Sequence, residues 1–296
     1  MDFVKWFNKL AQESLEVHIT MEATGVYHEN LAYDLDEELN VVVHILLPNI
    51  AKKYFESLNV KVKTDKVDSE ILARLGLERQ LDTWVLTSKY YRTLRFLNRE
   101  KEHLNREKTM IKNQLHASIH SANGLKKSEN RQINRVKYIE NQIKSVEADI
   151  KKAVSKDEFL VKKIEKITTI PGVGFATAVG IIAETGGFAT IKSIKQLTSY
   201  AGYDVVIKES GTSVKAKTRI SKKGNSHIRH LLHMPSLTSI RHSATHKNTF
   251  ERMVNNKDKK MIGVVAIQRK LLGLIYTLWK NDTTYIENYQ NTKLAA

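Results

Sequence analysis

The chain has 296 residues, of which 41% are hydrophobic, so it can bury one or two cores and is not a disordered tail. Lys and Arg number 48 against 32 Asp and Glu, and the formal net charge of +16 favours a polyanionic partner such as nucleic acid. Because the chain has no cysteine, disulfides, thiolate zinc sites and thiol nucleophiles are excluded. An acidic membrane surface could attract the same charge, but we find no apolar run of about eighteen residues, no lipidation signal and no secretory leader. We therefore expect a cytoplasmic protein without a membrane partner.

The beginning of the chain has the alternation of strands and helices that is typical of a parallel α/β layer. Hydrophobic periodicity and turn residues predict a short amphipathic helix over 2–15, strands over 15–21 and 41–47, and helices over 27–39 and 49–58. Two strands are too few for a stable sheet. We therefore expect that preceding strands are missing.

Three acids in this part could share a divalent cation. Glu22 stands at the carboxyl end of the first predicted strand, the edge at which α/β sheets usually hold their sites. Asp65 and Asp68 are three residues apart at a helix start, so they share one face of that helix. Hard oxygen ligands suit Mg²⁺ or Mn²⁺, which can assist phosphoryl transfer. The alternative is structural: Thr64 or Asp65 caps the helix, and Asp68 favours its dipole.

The middle of the chain predicts an antiparallel coiled-coil hairpin. Apolar residues recur at three, four or seven positions over 86–121 and again over 130–156, and the linker between them contains Gly124. The outer faces are rich in Lys, Arg and Glu, which is the usual state of solvated helices. We interpret the hairpin as a spacer or dimerisation arm.

A glycine turn follows, with the sequence IPGVG at 170–174 before a helix of small residues. This pattern resembles a helix-hairpin-helix, in which the amides of Gly172 and Gly174 would approach a DNA phosphate without sequence preference. The alternative is a tight turn that lets two helices pack closely. A closing amphipathic helix is predicted over 261–280.

Ser210 lies beside Gly211, where the backbone can bend sharply and present a short hydroxyl. The stretch from Tyr203 to His230 is strongly basic and could neutralise the phosphates of a phosphodiester. Its cations are Lys208, Lys215, Lys217, Arg219, Lys222, Lys223 and Arg229. The alternative is a solvated β-hairpin and basic loop around a turn serine.

Histidines cluster towards the carboxyl end, at His227, His230, His233, His242 and His246. His230 and His233 are one helical turn apart, but no acidic third ligand lies beside them in the sequence. We interpret these side chains as surface or phosphate contacts rather than zinc ligands.

Separated motifs agree on one family. The stretches MEATGVY (21–27), KTDKVD (63–68) and IPGVG, followed by AGY, ESG and SKKGNSHIRH, resemble the DEDD transposases of the insertion-sequence-110 family, relatives of the pilin-gene invertases. Each motif alone is weak. Their order, their intervals and the coiled coil between them match across nearly the whole chain, and that combination is specific.

The resemblance implies an α/β plus α fold. An RNase H-like domain of RuvC type would occupy residues 1–85, a coiled-coil insertion would follow over 86–157, and residues 158–296 would form a mainly helical transposase domain with a helix-hairpin-helix and a small β-hairpin.

The resemblance also implies roles for single residues. Glu22, Asp65 and Asp68 match the second, third and fourth acids of the DEDD set, which would hold Mg²⁺ or Mn²⁺. Ser210 matches the family's nucleophile and would form a phosphoserine linkage to DNA. Family members act as homo-oligomers, so a dimer or tetramer is expected, with acids and serine drawn from different subunits. A guide RNA is the other implied partner.

The resemblance is incomplete at the amino terminus. The first acid of the set lies in an early strand of the family, and Asp2 does not replace it because its neighbours favour a helix. We therefore predict a shortened chain with weakened metal binding and an exposed strand edge. A DNA-binding remnant without catalysis and a metal-dependent junction nuclease are the two alternatives to an active recombinase.

Overall fold

The computed structural model describes Phe7 and residues 16–38, 41–62, 64–207, 209–210, 214–215, 218–255 and 259–287. The helix predicted over 2–15 lies outside these residues, apart from Phe7. Contacts divide the chain into two units, Met1–Leu86 and Thr87–Ala296. Helices dominate the described residues and the sheets are small, which agrees with the predicted α/β plus α class.

In its described part, the first unit contains a parallel strand pair and three helices. The pair runs in register from Val17 opposite Val41 to Glu22 opposite Leu46. In chain order the elements are β1 (Val17–Glu22), α1 (Tyr27–Glu38), β2 (Val41–Leu46), α2 (Pro48–Ser57) and α3 (Asp65–Glu78). The two predicted strands and the helices predicted over 27–39 and 49–58 are therefore confirmed, with ends displaced by one or two residues.

Helix α3 packs very closely on β1. A Cβ atom at Gly76 would lie 2.4 Å from Oγ1 of Thr20, so only glycine permits this approach. Ile71 and Leu75 of α3 belong to the small core of the unit, together with Leu46. This packing brings helix α3, which begins with Asp65 and Asp68, against strand β1, which ends at Glu22.

The second unit contains eight helices and four two-residue strands among the described residues. Strand β3 pairs antiparallel with β6, and β4 pairs antiparallel with β5. The elements are α4 (Lys89–Ile119), α5 (Lys126–Val154), α6 (Glu158–Thr168), α7 (Phe175–Glu184), α8 (Ile194–Tyr200), β3 (Val205–Val206), β4 (Glu209–Ser210), β5 (Val214–Lys215), β6 (Arg219–Ile220), α9 (Ser226–His242), α10 (Ala244–Asn255) and α11 (Lys260–Asn281).

Helices α4 and α5 form the predicted antiparallel hairpin. Ion pairs cross between them at Lys101–Glu147 (3.1 Å) and Lys112–Glu140 (3.4 Å). Helix α5 begins at Lys126 rather than at the predicted Asn130, because the turn ends at Gly124 and Glu129 supplies a carboxylate to the first helical turn. The hairpin belongs to the second unit.

Helix α7 is the centre of the second unit. Every residue from Ala178 to Glu184 is buried. The helix contacts α4, α6 and α9. Helix α9 passes so close that a Cβ at Gly180 would lie 2.7 Å from a methyl group of Leu231.

Among the described residues, α11 alone is long and apolar enough to cross a membrane, with a mean hydropathy of 1.5. Half of its most apolar stretch of 18 residues is buried inside the protein. Tyr276 and Trp279 pack around the ring of Phe188, and Nζ of Lys163 donates to the carbonyl oxygen of Trp279 at 2.7 Å. The apolar side of α11 therefore has its partners in the core.

Helix α9 runs through Pro235 to His242, and α10 was not predicted. Pro235 removes one backbone hydrogen bond from the middle of α9, which argues for a helix end on sequence grounds. Packing overrides this cost. Pro235 is buried, and its carbonyl oxygen would lie 2.6 Å from a Cβ at Gly172, so the turn before α7 fits against α9 at this point.

The interpretation of the carboxyl-terminal histidines as surface groups is wrong for His246. Its side chain is fully buried, its Nδ1 shares a hydrogen bond with Oγ of Ser239, and its Nε2 has no hydrogen-bond partner among the described residues. Burial, with a smaller contribution from the nearby Lys270 ammonium, lowers the pKa of His246 to about 4, while Glu287 opposes the shift.

The pH dependence of stability tests this burial. The unfolded chain binds a proton at position 246 below about pH 6.5, but the folded chain does so only near pH 4. The contribution is therefore complete above pH 6.5 and is lost as the pH falls towards 4, at up to about 1.4 kcal/mol per pH unit. His246→Gln should flatten urea-unfolding stability over this range. The exposed His230→Gln is the control, and an equal flattening in both variants would contradict the assignment.

The glycine turn supplies a second test. Gly172 has φ +88°, and an added Cβ would meet Ser239 as well as Pro235, so Gly172→Ala should lower stability by at least about 1–3 kcal/mol. Gly174 has φ −95° and nothing within 4 Å of an added Cβ, so Gly174→Ala should stay within about 1 kcal/mol. Thermal unfolding of the two variants measures the difference, and similar losses would show that the packing of the turn on α9 is wrong.

Candidate functional site

An acidic concavity of about 450 Å³ lies in the first unit. Glu22 and Asp68 both line it, so the structure brings two of the three predicted acids to one place. The other lining residues are Pro48, Lys52, Phe55, Glu56, Val60, Val62 and Ile71. Sequence reasoning missed Lys52 and Glu56, although both follow the carboxyl end of β2, the edge where such residues collect.

The acids are positioned by different elements. Glu22 is the last residue of β1, is half-buried, and its carboxylate accepts a hydrogen bond from Oγ1 of Thr24 at 3.3 Å. Asp68 is half-buried in the first turn of α3. Asp65 is exposed in the same turn and does not line the concavity. Thr64 caps α3 by accepting from the amide of Val67, as the structural alternative predicted.

The side chains that line this concavity supply some of the oxygen ligands that a hard cation requires, but not all of them. Among the described residues, no three His, Asp or Glu side chains converge closely enough to form a metal site. Mg²⁺, however, is commonly held by one or two carboxylates together with waters and substrate phosphates. Glu22 and Asp68 can supply that number, whereas the complete predicted set is not assembled in the described residues.

Ser210 lies on a short hairpin in the second unit. It is the second residue of β4 and stands opposite Val214 of β5, while Glu209 stands opposite Lys215. The connecting residues 211–213 lie outside the described part of the chain, and only the backbone of Ser210 is described. The other strand pair, β3 with β6, flanks this hairpin in the sequence, and β6 is followed by α9.

The predicted basic residues fall into four groups, the last of which is Arg229. Arg219, Lys222 and Lys223 are described and exposed. Lys208 and Lys217 lie outside the described residues, and Lys215 is described by its backbone alone.

Arg229 has an internal role. Its Nη1 donates to the carbonyl oxygens of Ala201 at 2.7 Å, Gly224 at 3.3 Å and Asn225 at 3.3 Å. The guanidinium therefore ties the basic turn to the end of α8. Sequence reasoning, which treated every cation of this stretch as a phosphate ligand, could not separate it from its exposed neighbours.

The two glycines of the turn before α7 have different surroundings. Gly172 is directed at α9, as described above. Gly174 is exposed at the N-terminus of α7, which has no side-chain cap, and its Cα faces open space. Free amides at a helix start favour an anion, so the phosphate interpretation suits Gly174 better than Gly172.

Two family models match the chain. The model described as Transposase, for DEDD proteins of the IS110 type, matches residues 1–123. The model described as Transposase IS116/IS110/IS902 family matches residues 164–251. Together they cover more than two thirds of the sequence.

Curated relatives match over nearly the whole length. The pilin gene-inverting proteins of Moraxella bovis and Moraxella lacunata are each 26% identical to the chain over 287 residues, which is 96% of this chain and 87% of either relative. Both the resemblance of the motifs and the predicted enzyme class are confirmed. The chain belongs to the IS110 family of DEDD transposases and is a transposase or recombinase that acts on DNA.

Proposed function

We propose that the protein cleaves and rejoins DNA with Ser210 as nucleophile. Oγ of Ser210 would form a bond to a backbone phosphorus while a deoxyribose oxygen leaves with a proton, so the bond energy is retained in a phosphoserine linkage for rejoining. The observation that carries the proposal is the position of Ser210 on a hairpin strand, in the same stretch of sequence as the exposed Arg219, Lys222 and Lys223, in a chain of this family.

The acidic concavity supplies the second component. Glu22 and Asp68 would hold Mg²⁺ or Mn²⁺, with Asp65 as a third carboxylate on the same helical turn. When bound, the cation would stabilise charge on the phosphate oxygens. The chain's own contribution is to hold the two half-buried carboxylates at the ends of β1 and α3, where the close approach at Gly76 fixes the helix on the strand.

DNA would be held by phosphate contacts. Arg219, Lys222 and Lys223 are exposed on one continuous stretch of chain, and the uncapped start of α7 at Gly174 offers amides to a further phosphate. Lys208, Lys215 and Lys217 would extend this surface. The turn around Gly172 and Gly174 would act as a helix-hairpin-helix.

The assembly would be a homo-oligomer, either a dimer or a tetramer. Acids and serine are carried by different units of the chain, so a site built from two subunits is compatible with this division. We further propose a RuvC-like fold for the first unit, the three-part division at residues 85 and 157, a guide RNA and a cytoplasmic location. The basic composition supports a nucleic-acid partner of either kind.

Covalent trapping tests the serine. The chain would be expressed from a plasmid that carries its native element and flanks, and DNA would be recovered under denaturing conditions. We expect protein-linked DNA ends with the unaltered chain and none with Ser210→Ala, because no other group would form the linkage. Ser213→Ala, three residues away in the same hairpin segment, is the matched control and should retain the adduct. An adduct that persists in Ser210→Ala would exclude the mechanism.

Metal binding tests the acids. We expect Glu22→Gln or Asp68→Asn to weaken Mn²⁺ binding by about tenfold or more, because each removes one of the two predicted metal-binding carboxylates that line the concavity. Titration followed by Mn²⁺ spin resonance measures this without DNA. Glu70→Gln, an exposed change on the same helix, should leave the affinity unchanged. Equal affinities in all variants would place the cation elsewhere.

A second candidate function is DNA binding without cleavage. It is favoured by the observation that no three acids converge among the described residues. In that case DNA affinity would fall steeply with salt and would be unchanged by Mg²⁺ or by Glu22→Gln. The trapping experiment would give no adduct. Hydrolysed ends without an adduct would instead indicate a junction nuclease.

A further inference from the structure

Glu184 is a buried acid in an unfavourable position. It is the last residue of α7, and its side chain is only 1% exposed. The carboxyl end of a helix carries partial negative charge, so a carboxylate there is disfavoured by the helix and by burial alike. Such a group persists only where strong partners compensate it.

The partners come from two other elements. Arg99 of α4 donates twice, from Nε to Oε1 and from Nη2 to Oε2, both at 2.8 Å. Nδ2 of Asn225 donates to Oε2 at 2.6 Å. Burial alone would raise the pKa of Glu184, but the hydrogen bonds from Arg99 and Asn225 outweigh it and lower the pKa below its usual range. The carboxylate is therefore charged and fully engaged.

Asn225 uses both ends of its amide. Its Oδ1 caps α9 by accepting from the backbone amides of His227 at 2.9 Å and Ile228 at 3.3 Å, while its Nδ2 is directed to Glu184. Only a side chain with both an acceptor and a donor can do this. The start of α9 is thus hydrogen-bonded to the end of α7.

A second contact joins α4 to α9. Nδ1 of His227 lies 2.6 Å from Oε2 of Glu102, three residues along α4 from Arg99. Burial would raise the pKa of the Glu102 carboxyl, but the hydrogen bond and charge of His227 lower it. The base of the coiled-coil hairpin is therefore connected to the start of α9 directly, through Glu102 and His227, and indirectly, through Arg99, Glu184 and Asn225.

The segment that these contacts hold is the basic turn at residues 221–224. Lys222 has φ +55°, and its amide donates to the carbonyl oxygen of Gly202 at 3.0 Å. The amide of Asn225 donates to Tyr200 at 2.8 Å. Lys222 and Lys223 are left exposed. Their backbone is fixed on one side by the end of α8 and on the other by Asn225 and Glu184.

We propose that Glu184 is a positioning residue for DNA: together with Arg99 and Asn225, it holds the Lys222–Lys223 turn at a fixed place on the base of the coiled-coil hairpin. The inference rests on the proposed role of this turn in phosphate binding. Glu184 itself is buried and touches no ligand, so it acts through Asn225. Its negative charge is required for geometry, although it opposes DNA electrostatically.

Removing the charge of Glu184 should therefore change DNA affinity in opposite directions under the two explanations, charge repulsion and positioning. Glu184→Gln and Glu165→Gln each remove one negative charge, and Glu165 is exposed on α6. If charge alone governed affinity, both variants would bind a fluorescent duplex of mixed sequence at least as tightly as the unaltered chain. Positioning predicts that Glu184→Gln binds about tenfold more weakly, or about 1.4 kcal/mol, while Glu165→Gln does not.

The salt dependence shows which contacts are lost. If the turn no longer meets two phosphates, the slope of log K against log salt concentration should fall by about 2 in Glu184→Gln, as in the Lys222→Gln/Lys223→Gln double variant. Combining all three changes should add nothing to the double variant, because the same contacts are already gone. A purely structural role would lower the thermal midpoint and leave the slope of the folded protein unchanged.

Asn225→Ser keeps the experiment interpretable if Glu184→Gln folds poorly. Serine retains the α9 cap and the net charge but has no donor that reaches Glu184. It should reproduce the weaker binding and shallower slope with little loss of thermal stability. Unchanged affinity and slope in both Glu184→Gln and Asn225→Ser would overturn the inference. No effect of the lysine double variant would overturn the proposed interface as well, whereas the result of covalent trapping at Ser210 bears on neither outcome.

Discussion

The ion pair between the buried Glu184 and the partly exposed Arg99 organises the second unit. It lies where the central helix α7 ends, where α4 leaves the core to become the coiled-coil hairpin, and where α9 begins. A buried charge without its partner is costly, so the pair favours the arrangement of these elements in which Arg99 reaches Glu184. Apolar packing along α7 supplies the bulk of the burial, but apolar contact has no direction. The bidentate hydrogen bonds supply the direction.

Much of the fold follows from patterns within single segments. Alternating and helical periodicity predicted the strands β1 and β2 and the helices α1 and α2 of the first unit, as well as the coiled-coil hairpin, because each of these buries one face. Helix α9 shows the limit. Pro235 is a strong local signal for a helix end, but the partners of α9, Gly172 and Gly180, are distant in sequence and decide the outcome. The burial of His246 likewise depends on partners in other elements, Ser239 of α9 and Tyr285 after α11.

The candidate site was predictable where a residue's role depends on its own element, and not where it depends on partners. Glu22 stands at a strand end and Asp68 at a helix start, so both could be placed from the sequence. Nothing in the sequence near Arg229 distinguishes it from Lys223, yet one binds three carbonyls and the other is exposed. Glu184, Asn225 and Glu102 were missed for the same reason. For Glu184, the signal available in the sequence was an acidic residue at the end of an otherwise apolar helix.

The hairpin has a separate small core at its far end, formed by Ile111, Val136, Ile139 and Ile143. The base of the hairpin instead shares the main core through Leu94 and Val146. Each end therefore satisfies its own apolar side chains. Paired insertions or deletions of seven residues in α4 and α5 would move the tip by about 10 Å while leaving both cores intact. The length of the hairpin can thus change during evolution in steps of seven residues per helix, without altering the packing at its base.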